Sequence, residues 1–502
     1  MSRSARGHWQ FGVVLLAAVV ARVIVIVGYP PILWFNDSYN YVSDAISHVP
    51  DEVRPNGYPF FLDLFLPFHN LYPLAVVQAA MGAVMGAAIY AVLRRRGLPW
   101  WGAILPTLPV LFDSYELHLE HMVTSDPLFI FLVTIALVMM CWSDRPSLPV
   151  MALAGLLIGC STLVRSVGEP LLAVFLVAML IRRAGWLRLG AMLVAGIVPI
   201  GAYMIWFHGT YGKFALTESS GTFLYSRVST FAECQKINPP ANLKILCDQA
   251  PPSLRPESGA YVWDDNDLPP DGKLTLPLYN LTQSTNTALR FTPPVNSLAG
   301  KFARAAILAQ PLDYLRVVAH DTLRSFDWNR APDPYDNTGN GSAFSFIYQH
   351  GLSHLIPWWA KNSSTDADAH QIYQARLDFG GPGYGNTRSV WPWSHLLIIY
   401  QRYFFLRGPF LAVVVLIGLA GVLGRWRRWG GVGLLSWVVG ALLIVLPPMT
   451  AGFSYRYLLA AVPAACLAAG LAFARRPDEA SVGALAADLR RHLGRRVAVD
   501  KE

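Results

Sequence analysis

Charged residues are scarce in this chain of 502 residues. They make up 14% of the sequence, whereas soluble domains usually contain about 25%. Hydrophobic residues make up 54% and arrive in repeated runs of about twenty, the length that spans a bilayer as a helix. The scarcity of charge therefore excludes an ordinary soluble enzyme, and the sequence predicts an all-α polytopic membrane protein.

Repeats and compositional tracts are absent as well. The 40 Gly and 36 Pro are scattered without a period, which excludes a collagen-like repeat and a disordered low-complexity tract. Cysteine is rare, with five residues, three of them inside apolar runs. Cys234 and Cys247 lie in a polar segment that we expect outside the cytoplasm, where a disulfide is permitted. Two free thiols are the alternative.

Ten apolar runs predict ten transmembrane helices. They lie at about 10–28, 72–93, 100–116, 124–142, 149–164, 168–183, 187–207, 404–424, 431–449 and 455–474. The first run carries Arg22 and has no small-residue cleavage site, so we expect an uncleaved helix rather than a signal peptide. Arg165 and Glu169 interrupt the run from 150 to 183, which we interpret as two spans joined by a tight outer hairpin. One continuous span would invert the topology downstream.

The distribution of arginine predicts the orientation. Arginines cluster on alternate flanks of the spans: Arg3, Arg6, Arg94, Arg95, Arg96, Arg145, Arg182, Arg183, Arg188, Arg425, Arg427, Arg428, Arg475 and Arg476. The positive-inside rule places these flanks and both termini in the cytoplasm. The opposite flanks are acidic: Asp37, Asp44, Asp51, Glu52, Asp113, Glu116, Glu120 and Asp126. We therefore expect a multi-pass protein of the plasma (inner) membrane.

Four parts follow from this pattern. We expect a transmembrane module at 1–207 with its first outer loop at 29–71, an extracytoplasmic soluble domain of mixed secondary structure at 208–400, C-terminal transmembrane helices at 401–474, and a basic amphipathic cytoplasmic tail at 475–502. Residues 209–398 contain 15 Lys and Arg against 16 Asp and Glu and are near −1, so the membrane part and its flanks carry the other +9 in the net charge of +8. Nucleic acid is thereby excluded as a partner, because binding it needs a basic soluble face.

The first outer loop carries the strongest candidates for chemistry. It predicts one short helix from Tyr39 to His48 and a second, strongly apolar one from Gly57 to Phe68, both lying on the membrane. Asp37 opens the first helix, and Asp126, followed by Pro127 at the first helical position, opens span four at a matching depth. Both acids could simply cap their helices. Two carboxylates at the outer surface of one bundle also form a general-base arrangement that activates a hydroxyl.

Three arginines lie on the same side, each beside an apolar helix: Arg54, Arg165 and Arg456. A guanidinium at the membrane surface needs an anionic partner, and its two parallel N–H groups fit a phosphate. We interpret the three as a phosphate site at the lipid boundary. The alternative for each is snorkelling, or pairing with a nearby acid such as Glu169 for Arg165.

These residues resemble a known family. An Asp after the first span, a membrane-parallel helix, the run Arg54-Pro55-Asn56-Gly57-Tyr58-Pro59 and short paired helices are together similar to the GT-C glycosyltransferases, most closely the protein-mannosyltransferase-like branch that includes the lipid A aminoarabinose transferases. Three further runs resemble motifs of that family: Ser125-Asp126-Pro127-Leu128-Phe129, Leu163-Val164-Arg165-Ser166 and Tyr455-Arg456-Tyr457-Leu458-Leu459. Ser38 stands where the family has a second acid, and Ser166 stands where it has proline.

The resemblance implies a GT-C-like fold and an inverting transfer of a sugar from a polyprenyl-phosphate carrier to an acceptor hydroxyl on the outer face of the membrane. Asp37 would be the base, with Asp126 assisting. Arg54, Arg165 and Arg456 would bind the carrier phosphate, which the chemistry of a leaving phosphate requires. The remaining candidate substrate contacts are Tyr39, Tyr58, Glu120, His121 and Tyr455. The sugar could be mannose or arabinose, and the acceptor a glycan, lipid, protein or metabolite.

No cofactor is firmly implied. His118 and His121 lie on one helical face beside Glu120, so a divalent metal is an alternative to interfacial histidines held by acids. Asp264, Asp265 and Asp267 form a solvated turn rather than a nucleotide-sugar metal motif, because nucleotide sugars are cytoplasmic. Six outer tryptophans could stack on sugar rings: Trp263, Trp328, Trp358, Trp359, Trp391 and Trp393. The last four flank a return to the membrane and indicate an aromatic belt.

Two rival functions remain open. A transporter or flippase of lipid-linked sugars would carry charges in the middle of its spans and often inverted repeats, and the mid-span charges here are few. A ligase of the O-antigen type would move a whole glycan from a pyrophosphate carrier, but it would lack the acid-bearing loop after the first helix.

Overall fold

The computed structural model describes residues 8–263, 277–282, 287–329, 346, 387–425 and 431–474. Helices dominate these residues, and the only β-type pairing in them is an isolated parallel bridge between Leu33 and Met122. The predicted tail at 475–502, the turn at 264–267 and the pair Trp358 and Trp359 lie outside the described residues.

The first 211 residues contain eleven helices from residue 9 onward. They are α1 (Trp9–Gly28), α2 (Asn36–Ser47), α3 (Gly57–Leu62), α4 (Tyr72–Arg95), α5 (Trp100–Ile104), α6 (Leu108–Phe112), α7 (Ser114–Glu120), α8 (Asp126–Trp142), α9 (Leu148–Val164), α10 (Leu171–Ile181) and α11 (Trp186–Tyr211). The second predicted loop helix is shorter than expected. It ends at Leu62, and a separate 3₁₀ turn follows at Leu66–Phe68, where Pro67 lies.

The later elements are shorter and interrupted by undescribed stretches. They are α12 (Ser220–Ser229), α13 (Cys234–Ile237), α14 (Ala260–Trp263), α15 (Pro277–Thr282), α16 (Pro293–Ala309), α17 (Pro311–Arg324), α18 (Trp393–Tyr403), α19 (Gly408–Leu423), α20 (Leu434–Thr450), α21 (Tyr455–Leu459) and α22 (Val462–Leu471). The domain at 208–400 was expected to be mixed, and in its described residues this is wrong: it is helical. Its apolar residues recur at helical spacing, as in Tyr225, Val228 and Ala232.

Apolar helices coincide with the predicted spans. Four are long and apolar enough to cross a membrane: Trp9–Gly28, Tyr72–Arg95, Trp186–Tyr211 and Gly431–Thr450. The pair α18 and α19, bent by 59°, is a candidate fifth. Five shorter apolar segments lie where the other spans are predicted: Trp100–Phe112, Asp126–Trp142, Leu148–Val164, Ser166–Ile181 and Tyr455–Leu471. The chain is a multi-pass helical membrane protein, and the count of ten crossings and its orientation stay predictions.

Glycines allow a very close contact between α9 and α11. A Cβ on Gly155 would lie 2.1 Å from the carbonyl oxygen of Met192, and one on Gly159 would lie 2.2 Å from that of Gly196. The small residues therefore let the two backbones touch, which is the usual basis of helix association in lipid. This contact holds α9, whose C-terminal end is followed by Arg165.

The segment between α11 and α18 has its own apolar core and is attached to the bundle. Tyr225, Tyr261 and Phe302 are fully buried in that core, and Cys234 and Cys247 are bonded beside it, which confirms the predicted disulfide. Backbone hydrogen bonding joins Glu218 to Glu52 of the first outer loop at 2.7 Å. We call residues 212–329 the outer segment.

Candidate functional site

Five charged residues predicted from five separate stretches of sequence meet in one cluster, the acid–arginine cluster: Asp37, Arg54, Asp126, Arg165 and Arg456. Asp37 accepts from two arginines. Its Oδ1 lies 2.7 Å from Arg54 Nη2, and its Oδ2 lies 3.1 Å from both Nη1 and Nη2 of Arg456. The first predicted acid is thus held by two of the three predicted arginines.

Asp126 completes the cluster. Its Oδ2 accepts from Arg456 Nε at 2.7 Å and from Thr124 Oγ1 at 2.7 Å, while its Oδ1 accepts from Arg165 Nη1. Arg456 therefore bridges the two carboxylates. Arg165 pairs with Asp126, and the alternative in which it pairs with Glu169 is not observed.

Neither acid caps its helix through its side chain. Phe35 is the N-cap of α2, and its amide donates to Ser38 Oγ at 2.8 Å. Asp37 is the second residue of α2 rather than its N-cap, and its carboxylate contacts the arginines instead. In α8 the N-cap is Ser125, so Asp126 takes the first helical position and Pro127 the second rather than the first. The capping interpretation of both acids is wrong.

Main-chain pairing brings the two acids together. Leu33 N donates to His121 O at 2.9 Å, and Val123 N donates to Leu33 O at 3.0 Å, so the strand-like run before α2 lies along the run before α8. Ser38 Oγ adds a hydrogen bond of 2.6 Å to Val123 O. Each acid follows its run by a few residues, and the two carboxylates consequently face the same arginine.

A glycine brings the first loop to the end of α9. A Cβ on Gly57 would lie 2.4 Å from the carbonyl carbon of Leu163, so only glycine permits this approach. Arg54 lies three residues before Gly57, and Arg165 lies two residues after Leu163. The contact therefore places both arginines beside the carboxylates.

Aromatic rings flank the guanidinium groups. Arg456 lies 5.3 Å from the ring centroid of Phe35 and 5.9 Å from that of Tyr457, and Arg165 lies 5.0 Å from the Tyr457 ring. Such cation–π contacts fix the planes of the guanidinium groups. Sequence reasoning missed both rings, although Phe35 and Tyr457 stand within two residues of Asp37 and Arg456 and so carried the signal.

The cluster is rich in arginine and has limited access to solvent. Its three arginines face Asp37 and Asp126, and a third carboxylate, Asp51, lies 3.9 Å from Arg54 at the edge of the cluster. The side chains of Asp126 and Arg456 are 1% and 6% exposed, while those of Asp37, Arg54 and Arg165 are 16%, 17% and 17% exposed. The open side of the cluster is thus lined by one carboxylate and two guanidinium groups, a composition that suits an anionic ligand.

The charges in the first loop shift one another's pKa. Burial acts to raise the pKa of Asp37, but Arg54 and Arg456 outweigh it and hold the pKa below its ordinary value. Burial acts to lower the pKa of Arg54, but Asp37, Tyr41 and Asp51 together outweigh it and raise the pKa. For Asp51, whose Oδ2 lies 3.9 Å from Arg54 Nη1, burial dominates and raises the pKa. Asp37 is therefore ionised at neutral pH, as a general base must be.

A tyrosine that the sequence analysis did not select lies beside the cluster. Tyr41 is buried, and its hydroxyl is 3.0 Å from Ser125 Oγ, next to Asp126. Burial and then the charge of Asp37 raise its pKa, which keeps the hydroxyl protonated. Its position one helical turn after Asp37 was the available signal.

The other predicted contacts lie around the cluster rather than in it. Tyr58 packs edge-on against Tyr41 with centroids 5.0 Å apart, and its hydroxyl donates to Gln78. Tyr455 precedes Arg456, and its hydroxyl donates to the Asn329 carbonyl at 2.9 Å. The side chain of Tyr39 lies outside the described residues.

Glu120 and His121 take part in separate contacts. Glu120 Oε1 lies 2.7 Å from Arg22 Nη2 in a fully buried ion pair, and His121 Nε2 lies 2.8 Å from the Tyr29 carbonyl oxygen. Within the described residues, no three His, Cys, Asp or Glu side chains are grouped as a metal ion would require. The contacts give Glu120 and His121 structural partners away from the two site carboxylates.

Comparisons with known proteins give a distant likeness to a solved structure. No protein-family model matches the sequence, and a search of curated proteins returns no match. A solved structure of the S. cerevisiae protein O-mannosyltransferase Pmt1–Pmt2 complex bound to the sugar donor matches with a TM-score of 0.31 and 15% identity. The match covers 44% of this chain and 36% of that chain, so the chain spans about a third of that protein's length. At this level of similarity the match supports no conclusion about the fold or the activity of this chain.

Proposed function

We propose that this protein is a membrane glycosyltransferase that transfers a sugar from a polyprenyl-phosphate donor to an acceptor hydroxyl, with inversion at the anomeric carbon. The observation that carries the proposal is the convergence of Asp37, Asp126, Arg54, Arg165 and Arg456. A carboxylate base beside a cluster of arginines is what a displacement with a phosphate leaving group requires.

Each charged group has a role in this reaction. Asp37, the more exposed acid, takes the proton of the acceptor hydroxyl as its oxygen forms a bond to the anomeric carbon. The bond between that carbon and the carrier phosphate breaks, and the electron pair leaves with the phosphate. Arg54 and Arg165, the two more exposed arginines, bind the phosphate, while Arg456 stabilises the charge that develops on it.

Asp126 holds the arginines rather than the substrate. It is almost fully buried and touches both Arg165 and Arg456. A buried carboxylate that accepts from two guanidinium groups fixes their direction, so that they are already aimed at the phosphate before it arrives. Such preorganisation is the main source of electrostatic stabilisation in enzymes.

The predicted topology fits this donor. With the acids on the outer face and both termini in the cytoplasm, a nucleotide sugar would not reach the site, whereas a lipid-linked sugar is delivered within the bilayer. We propose that the protein lies in the lipid bilayer of the plasma membrane. Residues 208–400 would form the extracytoplasmic domain and residues 401–474 the C-terminal membrane helices.

The test is transfer of labelled sugar from polyprenyl phosphate by membranes containing the protein. Asp37→Asn should abolish product formation while the protein is still made and inserted. The matched control is Asp63→Asn, because Asp63 lies in the same loop and pairs with His48 instead of an arginine of the cluster. Substantial retained activity in Asp37→Asn would refute the base assignment.

The same assay separates the rival functions. A flippase would move labelled lipid across the membrane without forming a new glycosidic bond, and a ligase of the O-antigen type would require a pyrophosphate-linked glycan. Fractionation of the labelled products by class identifies which bond, if any, was formed.

A further inference from the structure

We propose that Trp263 of the outer segment is a positioning residue of the active site, which acts through Arg54. The ring of Trp263 lies 5.6 Å from the Arg54 guanidinium carbon. Arg54 in turn lies 2.7 Å from Asp37. A residue of the outer segment therefore touches the first loop's phosphate-binding arginine. This inference rests on the proposed function for the identity of the ligand at Arg54.

Trp263 is held in place by buried neighbours in its own short helix. Tyr261 and Val262, the two residues before it, are 0% and 1% exposed. The Tyr261 hydroxyl donates to Asp248 Oδ2, and the buried Arg290 donates to the Val262 carbonyl. These contacts fix the backbone of α14 from inside the outer segment, and so fix the point from which the Trp263 side chain extends toward Arg54.

Two other rings support Trp263 from the side. The centroid of Phe291 lies 5.4 Å from that of Trp263, and the centroid of Phe223 lies 6.1 Å away. Phe223 and Phe291 are 5.4 Å apart, so the three rings form one aromatic group. An indole held in this way offers its π-face to a cation at little entropic cost.

The residues that lead into α12, the helix that contains Phe223, hold the loop that carries Arg54. Glu218 N donates to Glu52 O at 2.7 Å, and Ser219 Oγ donates to Val53 O at 2.9 Å, immediately before α12 begins. Phe223 lies one turn into α12. The same part of the outer segment therefore holds both Arg54 and Trp263, and their contact depends on the packing around both residues.

The consequence concerns how Arg54 changes partner. A phosphate that binds Arg54 competes with Asp37 for the guanidinium N–H groups, whereas the π-face contact with Trp263 uses none of them. Trp263 can therefore keep the guanidinium in place while its hydrogen bonds pass from the carboxylate to the phosphate. Loss of the ring should weaken donor binding and leave the chemical step less affected.

The experiment measures binding of polyprenyl phosphate to the full-length protein in nanodiscs, together with the donor KM and kcat of transfer. Trp263→Ala should raise both the Kd and the donor KM about tenfold, which is the effect expected from loss of a partly desolvated cation–π contact. The change in kcat should be smaller. Trp263→Phe should recover part of the loss. If Trp263→Ala does not fold, Trp263→Leu, which keeps an apolar side chain but has no aromatic face, carries the test, and an unchanged Kd in it would overturn the proposal.

A matched control is available in Trp328, whose ring lies 4.9 Å from Arg407 away from the cluster. Trp328→Ala should leave the Kd unchanged. In the double variant Trp263→Ala with Arg54→Ala, the loss should equal that of Arg54→Ala alone, because the ring acts only through the arginine. Additive losses would overturn the positioning role.

The failure of this inference is distinguishable from the failure of the proposed function. If the wild-type protein does not bind polyprenyl phosphate, the donor assignment is wrong. If it binds and Trp263→Ala binds equally well, the donor assignment stands and Trp263 is only a packing residue.

Discussion

Arg456 and Asp126 are separated by 330 positions in the chain, yet Arg456 Nε lies 2.7 Å from Asp126 Oδ2. The same guanidinium reaches Asp37 through its two other nitrogens. All three nitrogens of one side chain therefore contact two carboxylates that lie in different helices, α2 and α8. This arrangement needs the planar group of arginine, which an ammonium cannot replace.

Arg456→Lys is accordingly expected to behave as a severe substitution. A single ammonium cannot contact both carboxylates in the observed geometry, so Asp37 and Asp126 lose their common partner. We expect kcat for sugar transfer to fall on the order of a hundredfold, the scale seen when one preorganised electrostatic donor is removed. Activity within a few-fold of wild type would contradict the bridging role. Arg407→Lys, at an arginine outside the cluster, provides the control.

The pH profile of transfer should depend on Arg54. The active form of Asp37 is the carboxylate, so the rate falls as the pH drops through the pKa of Asp37. Arg54→Gln removes a positive charge that lowers this pKa. The pKa therefore rises, and the acidic limb of kcat should move to higher pH by about one unit, measured at saturating donor. If the acidic limb of Arg54→Gln lies at the same pH as that of the wild type, Asp37 is not the titrating base.

Gly57→Ala tests the contact that brings the first loop to α9. Its Cβ would meet backbone atoms of Leu163 at 2.4 Å, so one of the two segments must move. We expect a loss of about 1–3 kcal/mol in the free energy of unfolding and a raised donor KM. Gly201→Ala is the matched control, because a Cβ there meets nothing within 4 Å. Equal stability and equal donor KM in the two variants would show that the close contact at Gly57 does not position the site.

The ion pair of Arg22 and Glu120 gives a stability prediction independent of function. Both side chains are at most 4% exposed, so Glu120→Ala leaves a buried cation without its carboxylate. Breaking such a pair costs about 3–5 kcal/mol, whereas replacing both partners by Met should restore much of the stability. Thermal unfolding in detergent compares the variants. A double variant no more stable than the single one would contradict the prediction.

The disulfide of the outer segment should stabilise that segment specifically. Cys234 and Cys247 close a loop of thirteen positions, for which the chain-entropy model gives about 3 kcal/mol. Replacement of both by Ser should raise the rate of proteolysis within 212–329 while the membrane helices stay protected. Maleimide labelling of the unreduced wild-type protein at either cysteine would contradict the bond.

The sequence predicted the apolar segments and the five charged residues because both signals are local. A run of apolar residues is recognised without its neighbours, and Arg54, Arg165 and Arg456 stand out because each lies beside an apolar helix. The loop helix that carries Asp37 was expected to begin at Tyr39, but it begins at Asn36 because Ser38 supplies the N-terminal hydrogen bond.

The pairing of the charges could not be predicted in the same way. Arg165 has Glu169 four positions away, and local spacing favours that partner. Asp126, which it contacts instead, becomes its neighbour only after α8 and α9 pack against each other. Trp263 was selected only as one of several outer tryptophans, because nothing in the sequence relates it to Arg54 two hundred positions earlier.

The bridge between Leu33 and Met122 has a consequence for how the protein tolerates mutation. The separation of the two carboxylates is set by amide and carbonyl groups, whereas the buried side chains of Leu33 and Met122 contribute packing. Apolar replacements of similar volume at either position should therefore be tolerated in a mutational scan, while truncation to alanine should cost stability. Proline at Val123, which would delete the amide that donates to Leu33, should be as damaging as loss of an acid.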